Sequence, residues 1–149
     1  MSDPIGPPVA RSAVEAVELV GLAVSDGDLD AATAQYERGA KLTPWAELAA
    51  PAAPAASAGP AGPVRTGLAG VMALRLPVTV RVTGSVASGE LALVLCERRV
   101  DGPGPDCEHI DLRGTGATVI RRQVGGGWRI VADAWQLASP GGSLPRDSP

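Results

Sequence analysis

Val78-Thr-Val-Arg-Val-Thr83 alternates apolar and polar side chains with a period of two, which is the pattern of a half-buried antiparallel strand. Working outward from it, Ala87-Ser-Gly89 is a turn, and Glu90 to Val100 holds the nearly continuous apolar run Leu91-Ala-Leu-Val-Leu-Cys96. Asp101-Gly-Pro-Gly-Pro-Asp106 reads as a hairpin loop. His109 to Gln123 is the next long strand, with Ile110, Leu112, Thr118 and Ile120 in one register. Gly125-Gly-Gly127 is a tight turn, and Trp128 to Trp135 is the last strand. Centring the hairpin loop near Gly104 sets Cys96 opposite Asp111 or Leu112. The two cysteines, Cys96 and Cys107, then fall out of register and stay free thiols, as suits a reducing compartment.

Upstream, the period changes from two to that of a helix. Val14, Val17, Leu19, Val20, Leu22 and Ala23 recur at helical spacing. Ser12 serves as N-cap and Glu15 completes a capping box. Ser25-Asp-Gly-Asp28 ends this helix, and Asp28 or Ser25 caps a second one from Leu29 to Tyr36. Ala40-Lys-Leu-Thr43 is a short strand cut by Pro44. The Pro/Ala-rich stretch from Ala49 to Pro63 lacks apolar bulk and reads as a mobile loop. Pro63 opens a third helix, Val64 to Leu74, whose apolar face is Leu68, Val71 and Met72.

Helices grouped first and strands later imply an α+β domain, with three helices packed on a curved antiparallel sheet. The chain of 149 residues suits one domain. Its bounds are residues 9–138, between flexible tails at 1–8 and 139–149. A net charge of −3 argues against nonspecific nucleic-acid binding. No apolar run is long enough for a membrane span, and the N-terminus lacks the basic and apolar regions of a secretory signal. The expected location is the cytoplasm. One histidine and two separated cysteines lack the spacing of a zinc site. Gly125-Gly-Gly127 joins two strands and is turn chemistry, not a phosphate cradle.

Several strings in order resemble the NTF2-like superfamily, which includes the SnoaL-like polyketide cyclases and the ketosteroid isomerases. They are Val24-Ser-Asp-Gly-Asp-Leu-Asp-Ala, Tyr36-Glu-Arg-Gly-Ala-Lys-Leu, Ser88-Gly-Glu-Leu-Ala-Leu-Val, Arg113-Gly-Thr-Gly-Ala-Thr-Val-Ile-Arg-Arg-Gln and Gly125-Gly-Gly-Trp-Arg-Ile-Val-Ala-Asp133. The resemblance spans Val9 to Trp135 and implies a cone-shaped, cystatin-like fold with an apolar pocket between sheet and helices. It also implies a homodimer through the outer face of the sheet. The isomerase base would fall near Thr43 or Pro44, and neither supplies a carboxylate. In cyclase-like members an Asp or His on the late strands is the acid/base, and Asp133 is the nearest match.

The implied activity is that of a cofactor-free cyclase or isomerase acting on an apolar polyketide- or terpenoid-like molecule. Asp133 would be catalytic, with Tyr36, Trp45, Glu97, Asp111, Arg113 and Trp135 binding the substrate and no metal. The alternative is a non-catalytic small-molecule-binding or dimeric assembly protein of the same fold. Register decides between them. Strict alternation puts Trp128, Ile130 and Ala132 on one face and Asp133 with Trp135 on the other, so Asp133 faces outward unless a bulge intervenes. Two surface features complete the reading: a cross-strand ion pair between Glu97 and Arg113, and a basic patch joining Arg98-Arg99 to Arg121-Arg122. His109, beside the hairpin loop, is an exposed strand start.

Overall fold

The computed structural model describes residues 8–43 and 62–138. Trp45 and most of the 49–63 stretch therefore lie outside the described residues, as do the tails at 1–7 and 139–149. The elements run α1 (Ala13–Asp26), α2 (Leu29–Ala34), β1 (Tyr36–Thr43), α3 (Gly62–Met72), β2 (Val78–Ser88), β3 (Leu91–Pro103), β4 (His109–Arg122) and β5 (Trp128–Trp135). The architecture is α+β, as the element order implies.

Helix α1 starts where the capping signal places it. Ser12 Oγ accepts from the Glu15 N–H at 3.1 Å, while the Glu15 carboxylate reaches back to the Arg11 N–H at 3.1 Å, so one open donor of the first turn and one just before the cap are filled. The helix stops at Gly27, whose φ of 73° is the left-handed conformation that glycine adopts without strain. Its buried stripe, Ala16, Val17, Val20, Ala23 and Val24, faces the sheet. A Cβ on Gly21 would come within 2.7 Å of Val80 Cγ2, so the glycine lets α1 lie close on β2.

The sheet order is β1-β5-β4-β3-β2. β2, β3, β4 and β5 pair antiparallel, whereas β1 runs parallel to β5, a departure from the all-antiparallel expectation. α2 ends before Tyr36, and β1 begins there instead of at Ala40. The inward Tyr36 and Ala40 are both buried, and packing against the core outweighs a further helical turn. β2 runs on to Ser88 before the turn at Gly89, which has φ 60°. β3 and β4 pair as far as Pro103 with His109, so the hairpin turns around Asp106 and Cys96 faces Gly116, not Asp111 or Leu112.

The faces separate cleanly along β3. Ala92, Val94, Cys96, Arg98 and Val100 are buried under the helices, while Leu91, Leu95, Glu97 and Arg99 are exposed on the outer face. Two irregularities adjust this alternation. In β5, Ile130 pairs with Ile120 and Ala132 with Val119, leaving Val131 as an extra residue. In β2, Val82 pairs with Cys96 and Gly84 with Leu95, leaving Thr83 extra. Each bulge reverses which face the following residues occupy. The core between helices and sheet is built from Val17, Val20, Val64, Leu68, Val94, Val100, Ile120 and Ile130.

Candidate functional site

The β5 bulge decides the fate of Asp133. Because Val131 is an extra residue, Ile130 and Asp133 both point inward, together with Trp135. Asp133 is 3% exposed. A carboxylate in such a place must have every acceptor direction filled, and here each is. Tyr36 Oη donates to Oδ2 at 2.6 Å and Trp135 Nε1 to the same oxygen at 2.7 Å. Thr118 Oγ donates to Oδ1 at 2.8 Å, and Arg98 Nη2 approaches Oδ1 at 3.4 Å. Four strands thus contribute to one anchor: β1 through Tyr36, β3 through Arg98, β4 through Thr118, and β5 through Asp133 and Trp135.

Arg98 supplies the compensating positive charge. Its guanidinium lies 4.1 Å from the centroid of the Trp135 ring, and Nη1 reaches the Ala134 carbonyl at 3.5 Å. Its Nε is buried without a hydrogen-bond partner. Gly116 makes room for this group, since a Cβ there would run into Arg98 Nη1 and come within 3.0 Å of the Ala134 carbonyl oxygen.

Burial raises the Tyr36 hydroxyl well above its usual pKa, and the neighbouring Asp133 charge adds to the effect, with Arg98 opposing it. The phenol therefore stays a donor across the physiological range. Burial also raises the Cys96 thiol, again against the pull of Arg98.

Tyr36, Asp133 and Trp135 come together as the sequence reading grouped them. Arg98 and Thr118 complete the cluster and were not singled out. Both were within reach of the alternation: Thr118 shares its register with Ile120, and Arg98 shares its own with Val94, Cys96 and Val100. Treating Arg98-Arg99 as one basic patch hid the fact that consecutive strand residues face opposite ways.

Glu97, Asp111 and Arg113 do not join this cluster. Their side chains lie on the far side of the sheet with Arg81 and Arg99. Glu97 pairs with Arg81 Nε at 3.0 Å and not with Arg113, because the observed register sets it opposite Thr115. Asp111 accepts from Arg113 Nε and Nη2, both at 3.1 Å, and from Arg99 Nε at 3.4 Å. The hydrogen bond from Arg113, ahead of the other nearby charges, holds the Asp111 carboxyl below its usual range. The basic patch does not form either. Arg98 sits opposite Gly114 and Arg121 opposite Leu91, seven rungs along the ladder. His109 is exposed and lies 3.1 Å from Asp101.

Two clefts open on this outer face. One of about 510 Å³ is lined by Thr79, Arg81, Glu97, Arg99, Arg113 and Thr115. The other, of about 340 Å³, adjoins it through Glu97 and Thr115 and continues over Leu95, Ala117 and Ala134. Asp133 lines neither.

Solved structures of the same architecture identify the fold. A ketosteroid isomerase-like protein of Erwinia carotovora atroseptica aligns with a TM-score of 0.63 and 16% identity, over 84% of this chain and 92% of that one. An NTF2-like protein of unknown function from Pseudomonas putida aligns at TM-score 0.55 and 21% identity, over 83% of this chain and 82% of that one. This chain has the NTF2-like fold. A third solved structure of similar fold is a candidate calcium/calmodulin-dependent protein kinase type II association domain from Thiobacillus denitrificans, at TM-score 0.64 and 18% identity, over 89% of this chain and 99% of that one. The sequence matches no protein-family model and no curated protein. Among the described residues, no helix is long and apolar enough to cross a membrane.

Proposed function

We propose that this chain is a non-catalytic assembly module whose copies associate through the outer faces of their sheets. The observation that carries the reading is the apolar row left on that face. Val86 is 64% exposed, Leu91 45% and Leu95 44%, with Leu93 and Val119 partly covered between them. The Thr83 bulge is what brings Val86 onto the same face as Leu93, its cross-strand partner. Apolar side chains aligned across adjacent strands are the kind of patch that a second surface covers. The likeness to an association domain supports the same reading.

Sedimentation velocity tests it. The wild-type chain is expected to sediment at twice its monomer mass, and Val86→Glu combined with Leu91→Glu is expected to return it to the monomer. A wild-type chain that stays monomeric at its highest soluble concentration overturns the reading.

The cyclase or isomerase reading, with Asp133 moving a proton on an apolar polyketide- or terpenoid-like substrate, stands second. What favours it is the 2.6 Å contact between a buried carboxylate and the Tyr36 hydroxyl, a pairing able to hold a proton. What weighs against it is occupancy. A substrate would have to displace Tyr36, Trp135 or Thr118 to reach either oxygen of Asp133. Soaking or titration with apolar ketones tests it. Chemical-shift changes at Asp133 and Trp135 would support the enzyme, and their absence would leave the assembly reading alone.

A further inference from the structure

Arg99 and Arg113 stand directly opposite each other across β3 and β4. Like charges in that relation destabilise a sheet, and here Asp111 Oδ1, which accepts from the Nε of both arginines, offsets the repulsion and draws the two guanidiniums together. The chain as a whole is acidic, with a net charge of −3, yet these two arginines share the 510 Å³ cleft with a third, Arg81. Their side chains are 44%, 53% and 72% exposed. Three carboxylates pair with these guanidiniums: Glu97, which also lines the cleft, and Asp101 and Asp111, which do not.

The guanidiniums are also held in place. Arg81 grips Glu97 through Nε and Nη2. Arg113 grips Asp111 through the same two nitrogens. Arg99 spans Asp111 through Nε and Asp101 through Nη2. In all three, Nη1 is left without a hydrogen bond among the described residues. Pinned side chains lose less entropy on binding than free ones. The Thr79 and Thr115 hydroxyls flank the group. Through the shared Glu97 and Thr115 the groove continues over Leu95, Ala117 and Ala134, which are apolar and mostly small.

We infer that this outer groove binds an organic anion, a carboxylate whose head meets Arg81, Arg99 and Arg113 and whose short apolar tail lies along Leu95, Ala117 and Ala134. Free carboxylate oxygens accept from the spare Nη1 donors in charge-assisted bonds. The tail covers apolar surface that the charged end of the groove cannot. Asp133 does not line the groove, although Arg98 of its cluster adjoins it, and Leu95 also belongs to the row proposed for self-association, so a ligand tail and a second copy compete for it. Val86 and Leu91, the residues on which self-association is tested, line neither cleft.

Hexanoate is the probe, with hexylamine and hexanol as controls, followed by amide chemical shifts in the ¹⁵N-labelled full chain at low ionic strength. Hexanoate is expected to shift Arg99, Gly114, Thr115 and Ala117 saturably, while the amine and the alcohol do not. Arg99→Gln and Arg113→Gln are each expected to weaken binding about tenfold, the loss of one charge-assisted contact. Arg65→Gln, on α3 and paired with Asp30, leaves it unchanged. No saturable shift in the groove, equal shifts from hexylamine, or full binding by both arginine variants would overturn the inference. The same titration on the Val86→Glu, Leu91→Glu chain separates the two ideas. Binding there stands even if the wild type never self-associates, and a monomeric variant that ignores hexanoate sinks the groove alone.

Discussion

Tyr36 and Asp133 meet at 2.6 Å although 97 residues separate them in the chain. The bond closes the sheet's least regular seam, where β1 runs parallel to β5 and the register slips between Tyr36 and Lys41. Tyr36→Phe keeps the ring's packing and deletes the donor. It is expected to cost about 1.5–3 kcal/mol, the range for a hydrogen bond to a charged group, read as a lower urea midpoint with an unchanged slope.

The same tyrosine gives a pH signature. Its folded pKa is raised by burial, so the folded state holds the phenolic proton at pH values where the unfolded chain releases it. The folded state then binds more protons, and stability must fall as pH rises above roughly 10, the ordinary tyrosine value. Below that value the contribution is fully present. Cys96, also raised, acts in the same direction, so the comparison is between wild type and Tyr36→Phe. The decline in unfolding free energy above pH 10 should be shallower in the variant. Tyr36 is the chain's one tyrosine, so phenolate absorbance reports it alone. In the native protein that absorbance should appear only with unfolding. A reversible phenolate signal near pH 10 in the folded state would contradict the burial.

Arg98 and Asp133 form a buried charge pair with side chains 2% and 0% exposed. Removing one member strands the other in a place water does not reach. Asp133→Asn is expected to cost roughly 3–5 kcal/mol, because Arg98 then keeps only the Ala134 carbonyl and the Trp135 face. Arg98→Met should cost less, since Tyr36, Trp135 and Thr118 still donate to the carboxylate. The double variant should be more stable than the sum of the single losses predicts, as expected for partners in one network. Simple additivity in urea unfolding would mean that the 3.4 Å approach carries no coupling.

The order of elements was legible because each strand carries its own period and each turn its own glycine. Trp128 to Trp135 was bounded correctly by Gly127 on one side and the polar tail on the other. The direction of Asp133 was not legible from alternation alone. Val131 looks like any β-branched strand residue, and nothing local marks it as the extra one. The bulge forms because Ile130 and Asp133 both gain by facing inward, one for its apolar bulk and the other for three donors from other strands and a fourth from Trp135 on its own. The hairpin register failed for a related reason. The glycines and prolines between Asp101 and Asp106 suggested a turn at their centre, yet pairing continues through Pro103. There the chain gains cross-strand contacts, and Cys107 takes up the left-handed conformation at φ 64°.

Gly114 and Gly116 test whether the back of the cluster tolerates any side chain. A Cβ on Gly114 would run into the backbone carbonyl of Gln136, whereas one on Gly116 meets the end of the Arg98 side chain and, at 3.0 Å, the Ala134 carbonyl oxygen. A side-chain tip can move and a strand cannot. Gly116→Ala is expected to cost about 1–3 kcal/mol, the range for overpacking, and Gly114→Ala more, because β4 and the segment after β5 must separate. Thermal melts of the two variants give the ranking. The reverse order would mean that the guanidinium is the more rigid neighbour.

The two thiols should report the same interior chemically. Cys96 is buried against Gly116 and Arg98, and its pKa is raised by that burial, while Cys107 is exposed in the hairpin loop. A thiolate is the reactive form, so an aromatic disulfide reagent at mildly alkaline pH should modify one thiol at once and the second only at the rate of unfolding. In urea above the midpoint both should react together. Arg98→Met removes the charge that pulls the Cys96 pKa down, so native-state protection of this thiol should persist in that variant for as long as it stays folded. Two fast thiols in the native wild type would mean that the helices do not cover β3 at Cys96, and the enclosed setting described for Asp133 would fall with it.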